Sequence, residues 1–146
     1  MNAEVAVGSH LFWDELACRD GTPYPEDLRG PMLFERVLPA FIAIRAEACR
    51  VVGRDTPIHF TSFYRTAAYN RLIDGESGSW HVKGAAWDGT AAPDLPVLPF
   101  AVLIARLARQ RPELSIRGVG FYPEDGFVHC DCRTTKAVAL WRAVYV

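Results

Sequence analysis

The chain has 146 residues, 50% of them hydrophobic and 23% charged, with a formal net charge of -1, which suits one globular domain with its own core. Fourteen of the 16 basic residues are arginines, and their one local cluster (Arg106, Arg109, Arg111) reads as a solvated helix face without a wider basic stripe, so nucleic acid is not the expected partner. No apolar run reaches the roughly 18–20 residues of a membrane span, and residues 1–10 show neither the basic nor the apolar region of a signal peptide; localisation stays open.

In chain order, residues 1–8 read as loose and residues 11–18 as a short helix, followed by the turn-rich Asp20-Gly-Thr-Pro-Tyr-Pro. Between residues 31 and 52 apolar side chains recur at helical spacing, with Pro39 predicting a kink or two abutting helices and Gly53 a helix end. Residues 57–62 are β-branched and aromatic enough for a central strand. Thr66 caps a helix predicted over 66–73, and the glycine- and serine-rich 74–79 is a loop. A strand is expected over 83–90, a helix over about 100–110, and a hairpin from 115–122 and 126–132 turning at Pro123-Glu-Asp-Gly. Residues 137–146 complete the set as a last strand. Helices come first and strands cluster later, which predicts a single α+β domain over residues 1–146 with a mostly antiparallel sheet flanked by helices.

The chemistry concentrates in Ser79-Trp-His81-Val-Lys-Gly84-Ala-Ala86-Trp-Asp88 and Gly126-Phe-Val-His129-Cys-Asp131. Two imidazoles and one carboxylate with an open fourth position are a common ligand set for catalytic zinc. Strand alternation puts Ala86 and Asp88 on one face, and His129 and Asp131 on one face of the hairpin strand. Two adjacent strands would then present Asp88, His129 and Asp131 together, with His81 closing from the side. Zinc held there keeps a water whose pKa falls towards ~7. Cys130 and Cys132 point away from that face by the same parity and are read as buried, reduced core thiols rather than ligands, with disulfides among Cys18, Cys49, Cys130 and Cys132 the alternative. His10 and His59 are read as structural, His59 by packing.

The pattern Ser79-x-His81-x-x-Gly84-x-Ala86-x-Asp88 resembles the signature of the zinc D-Ala-D-Ala carboxypeptidase and dipeptidase family, whose fold is shared with the hedgehog signalling domain. Ser62-Phe-Tyr64-Arg65-Thr-Ala-Ala-Tyr-Asn70 is similar to the segment preceding that signature, and Gly118-Val-Gly120-Phe-Tyr122 with Gly126-Phe-Val-His129-x-Asp131-x-Arg133 resembles the hairpin carrying the last ligand. The resemblance covers about residues 9–141 in the expected order.

It implies His81, Asp88 and His129 as ligands of one zinc ion. It implies Arg65 as the cation beside the scissile carbonyl, against the alternative of a structural salt bridge. Ser79 would contact a substrate carboxylate or amide, or cap its loop. Many members carry a carboxylate base three residues before the last ligand, where this chain has Gly126. Asp131 is the first choice for that base; it alternatively orients a ligand histidine, and Asp125 or Glu124 in the turn are the remaining acids. The expected function is zinc-dependent hydrolysis of a peptide bond in peptidoglycan stem peptides, next to a D-amino acid, by a monomer. The alternative is a metal-containing cell-wall binding module with weak or no catalysis.

Overall fold

The computed structural model describes residues 2–141, and the sheet is the frame on which everything else hangs. Its five strands are β1 (His59–Ser62), β2 (Ala86–Thr90), β3 (Gly118–Tyr122), β4 (Phe127–Asp131) and β5 (Ala139–Trp141), in the order β1-β2-β4-β3-β5. Every pairing is antiparallel except that of β3 with β5. The α+β architecture expected from the sequence is therefore present, with one parallel edge strand added. Of the last strand predicted, only Ala139–Trp141 is described; residues 142–146 lie outside the described residues.

One face of the sheet carries Trp87, Val119, Val128 and Cys130, all buried. Against it lie α5 (Val97–Gln110), which packs on β3 and β4, and α3 (Leu38–Val52), which packs on α5. The buried side of α5 repeats at Phe100, Ile104, Leu107 and Ala108, the spacing of a single apolar stripe. Around Trp87 the rings of Phe41, Phe60 and Phe100 gather with centroids 5.4–6.3 Å apart, edge-to-face or tilted. Cys18, Cys130 and Cys132 are buried and unpaired, and burial pushes the Cys132 thiol up to about 12. Cys130 and Cys132 are core thiols, as strand parity predicted.

Several local expectations change. The helix at 11–18 shortens to α1 (Trp13–Leu16), and helical structure begins earlier than residue 31, at α2 (Glu26–Leu28). Residues Arg29–Val37 follow in a wider π winding, and α winding resumes at Leu38, immediately before Pro39. Proline lacks the N–H and crowds the carbonyl four residues back, so the abutment predicted at Pro39 takes the form of a change of winding. Residues 57–62 do not form a central strand: β1 is an edge, its outer carbonyls at Phe60 and Thr61 satisfied by the Arg19 guanidinium at 2.8–3.1 Å. His59 is exposed rather than packed. The supposedly loose N-terminus is tied down, with Glu4 bridging Phe12, Val5 N–H donating to Leu11 O at 2.7 Å, and Val5 buried.

Candidate metal centre

The other face of the sheet builds the site. Register places Asp88 on β2 directly opposite His129 on β4, and Gly120 on β3 opposite His129 from the other side. One step along, Ala86, Asp131 and Gly118 line up in the same way. Cross-strand neighbours stand about 4.5–5.5 Å apart, so the small residues make the room. A Cβ at Gly118 would strike the Asp131 carboxylate, and one at Gly120 the Trp141 indole.

His81 arrives from a loop. Gly84 turns that loop with φ +73°, and the buried Tyr24 hydroxyl donates to Gly84 O at 2.7 Å, leaving no space for a side chain there. The chain after β1 grips His81 twice: Arg65 N–H donates to His81 O at 3.1 Å, and His81 Nδ1 donates to Phe63 O at 2.6 Å. Ser79 Oγ accepts from His81 N at 3.2 Å, the loop-capping contact.

These anchors dictate which ring nitrogens are bare. A carbonyl only accepts, so Nδ1 of His81 keeps its proton and Nε2 faces Asp88 Oδ1 at 3.2 Å. Asp131, completely buried, accepts a hydrogen bond from Nε2–H of His129 at 2.7 Å and turns Nδ1 towards Asp88 Oδ1 at 2.9 Å. With neutral rings, three lone pairs then converge with no proton between them, and only a positive charge reconciles them. One ligand atom from each of His81, Asp88 and His129 lies within 4.8 Å of the others, so the donor set fits a divalent zinc.

The electrostatics agree. Burial works to raise the Asp88 carboxyl, but when the rings of His129 and His81 carry a proton on the nitrogens that face it, their hydrogen bonds prevail and hold it below the usual carboxylate range. Burial would lower His129, and its bonds to Asp131 and Asp88 push it up instead. Burial would likewise raise Asp131, but the bonds from Arg133 and His129 hold it at about 2.

Arg65 fans across the rim of this centre, donating from Nε to Ser62 Oγ at 3.0 Å, from Nη1 to Asn70 Oδ1 at 3.2 Å and from Nη2 to Asp88 Oδ2 at 3.3 Å. Asn70 sits on α4 (Ala67–Leu72), which Thr66 caps as predicted by accepting from Tyr69 N at 3.0 Å. The Asn70 amide also donates to Glu76 O at 3.0 Å, fastening the 74–79 loop beside Arg65. The centre opens into a cleft of about 640 Å³ whose walls include Arg65, Ser79, Trp80, His81, Asp88, Asp125, His129, Arg133 and Trp141.

The model of the peptidase M15 family matches residues 48–131, more than half of the chain, a stretch that includes His81, Asp88 and His129. The chain belongs to the peptidase M15 family. Membership makes it a peptidase of the zinc type, a class acting on cell-wall peptides. No curated protein and no solved structure matches the chain.

The structure thus brings His81, Asp88, His129, Asp131 and Arg65 into one bonded group, with Ser79 beside it on the His81 loop. Of the turn acids, Asp125 lines the cleft of this M15 chain; Glu124 does not. Among the wall residues to which the sequence reading gave no site role are Trp80, Trp141 and Arg133. The readable signal was Gly118-x-Gly120, because glycines alternating on a strand beside a His-x-Asp strand announce bulky groups lying across them.

Proposed function

We propose that this M15 chain is a zinc peptidase hydrolysing a peptide bond next to a D-amino acid in peptidoglycan stem peptides. The single observation that carries the reading is the convergence of His81 Nε2, Asp88 Oδ1 and His129 Nδ1, each histidine steered by an acceptor on its far nitrogen, at the floor of an open cleft. Zinc bound there supplies Lewis-acid chemistry, acidifying water towards pKa ~7 and polarising a carbonyl.

The protein's own groups do the rest. Arg65, always charged and fixed by three contacts, keeps a second N–H on each terminal nitrogen for the carbonyl oxygen where negative charge develops. Ser79 uses a lone pair on His81 N and has its hydroxyl proton left for a substrate acceptor. For Asp131 we take the orienting role: both its oxygens are engaged, by His129 and by Arg133, so it aims His129 instead of receiving a proton from water. Asp125 is then the proposed base, one residue from the position where the family resemblance expects a carboxylate, and exposed in the cleft.

The test is digestion of peptidoglycan and stem peptides by zinc-loaded protein, with products read by mass spectrometry. New termini at a D-amino acid support the reading. Stoichiometric zinc with intact peptides overturns it and identifies a cell-wall binding module instead.

A further inference from the structure

Asn70 is a polar residue of α4 with only 5% of its surface exposed, and both ends of its amide are in use. A guanidinium only donates, so the atom that meets Arg65 Nη1 at 3.2 Å has to be the amide oxygen. A carbonyl only accepts, so the atom that meets Glu76 O at 3.0 Å has to be the NH2 group. Those two neighbours fix which way round the amide stands. The backbone of the same residue adds a third tie, its carbonyl accepting from Gly75 N–H at 2.7 Å. Gly75 has no left-handed φ that would require glycine; contact requires it, because a Cβ there would collide with Asn70 Oδ1. The 74–79 loop, which gives Asp74, Gly75, Glu76, Gly78 and Ser79 to the cleft, therefore comes down directly on the oxygen that Arg65 uses.

Arg65 needs such a hold. Among the described residues Asp88 is the one acid paired with it, at 3.3 Å from Nη2, and Asp88 also belongs to the metal triad. One contact at the end of a flexible stem does not fix the plane of a guanidinium. Three do: Ser62 Oγ on Nε, Asp88 Oδ2 on Nη2 and Asn70 Oδ1 on Nη1. The two N–H bonds of Nη1 keep a fixed angle to one another, so anchoring one on Asn70 aims the other. Asn70 does this with a neutral oxygen. A carboxylate in its place would hold the fork as firmly and cancel the positive charge that a developing oxyanion needs.

We propose that Asn70 is a positioning residue of the reaction: its amide oxygen holds the Arg65 guanidinium in the orientation that meets the charge on the carbonyl oxygen, and its NH2 group ties that orientation to the 74–79 loop of the cleft. It acts through Arg65 and touches no reacting atom. A misplacement of about 1 Å in a group of this kind costs up to about 100-fold in rate, which sets the size of the effect. The inference rests on the peptidase reading above for the use made of Arg65; the hold on the guanidinium can be measured without it.

The experiment reads zinc-loaded protein in two ways. Nitrogen-15 NMR follows the Nη signals of Arg65, identified by their loss in Arg65→Lys. They should be resolved in the parent, where both terminal nitrogens are bonded, and merge by rotation in Asn70→Ala. Resolved signals in Asn70→Ala overturn the proposal, and so does free rotation in the parent. Kinetics on a stem peptide form the second readout. Asn70→Ala should lower kcat by about 10- to 100-fold with KM within about threefold and zinc content unchanged. In an Arg65→Ala background the same substitution should cost less than about threefold more, because there is no guanidinium left to position. Equal cost in both backgrounds, or zinc lost in step with activity, marks a merely structural residue and overturns the proposal. Asn70→Asp should keep the Nη signals resolved and still lose about tenfold in kcat; parental turnover in that variant refutes the need for a neutral acceptor. Should Asn70→Ala not fold, Gly75→Ala, which displaces the same oxygen from the loop side, must free the Nη signals and lower kcat; parental signals there refute the assignment. If the parent cleaves no peptide, the peptidase reading fails and with it the catalytic use of Arg65, whereas the Nη signals still decide whether Asn70 holds the guanidinium.

Discussion

Replacing Asp131 by asparagine separates the two roles that a carboxylate in this position can play. Asp131 accepts four hydrogen bonds, one from His129 Nε2 and one from Arg133 Nη2 on Oδ2, and two from Arg133 N and Nε on Oδ1. An amide offers one oxygen, so either His129 or one side of the Arg133 fork must face an NH2 group in a completely buried place. Leaving one such donor unmet costs about 1–3 kcal/mol in the stability of the metal-free protein. The same loss loosens the His129 ring, and groups that orient a metal-bound histidine are worth about 10–100-fold in metal affinity. Zinc affinity of Asp131→Asn, measured with a competing chelator at pH 7.5, should fall by that factor, and turnover at saturating zinc should recover to within about tenfold of the parent. The opposite pattern, undiminished zinc affinity with turnover down about 10²–10⁴-fold at full occupancy, would make Asp131 the base and refute the orienting role.

Other perturbations probe the remaining parts. His129→Ala should strip most of the zinc and nearly all activity, since two protein ligands hold the ion poorly; elemental analysis of the purified variant checks it. Arg65→Ala should lower kcat by about 10²–10³-fold while bound metal stays near the parent's level, and equal loss of both would contradict its place at the carbonyl. Gly118→Ala should destabilise the protein by about 1–3 kcal/mol in urea melts and weaken zinc, because the new Cβ collides with the Asp131 carboxylate. In the metal-free protein His129 is held above its ordinary pKa, after burial is outweighed by Asp131 and Asp88, and zinc must displace the proton on Nδ1. Apparent zinc affinity should therefore drop about tenfold per unit as pH falls below that raised pKa, and a flat titration between pH 5 and 8 would refute it. Asp131, held at about 2 against an ordinary 3.8, stabilises the metal-free fold above pH 4, by about 2 kcal/mol at neutrality, with about half lost by pH 3. Asp131→Asn should abolish that part of the acid sensitivity in denaturant melts.

Short-range chemistry made much of this legible from the residues. The cap at Thr66, the glycine end of α3 at Gly53, the apolar stripe of α5 and the four-residue turn closed by Gly126 N–H on Tyr122 O each depend on neighbours a few positions away. Strand parity works equally locally, so that His129 and Asp131 share a face, and Cys130 does not, follows from counting by two, while the β2–β4 register brings Asp88 onto that face. The candidate ligands His81, Asp88 and His129 were therefore readable, and the resemblance in three ordered motifs pointed to the peptidase M15 family.

Other features were decided only when distant segments met. Nothing near residues 57–62 says that they end up at a sheet edge; that outcome depends on which strand β2 pairs with on its other side and on Arg19 covering the outer carbonyls. The division of roles between carboxylates also waited for the fold. Spacing puts Asp131 beside His129 but cannot reveal that Arg133 and a vacant Gly118 position bury and saturate it. Likewise Trp141 becomes a wall of the cleft because a parallel pairing lays β5 against β3 over Gly120, a contact between residues 21 positions apart. Hydrogen-bond saturation and burial are properties of the assembled surroundings, so the residue types named the chemistry and the packing decided which groups meet and which are left free to act.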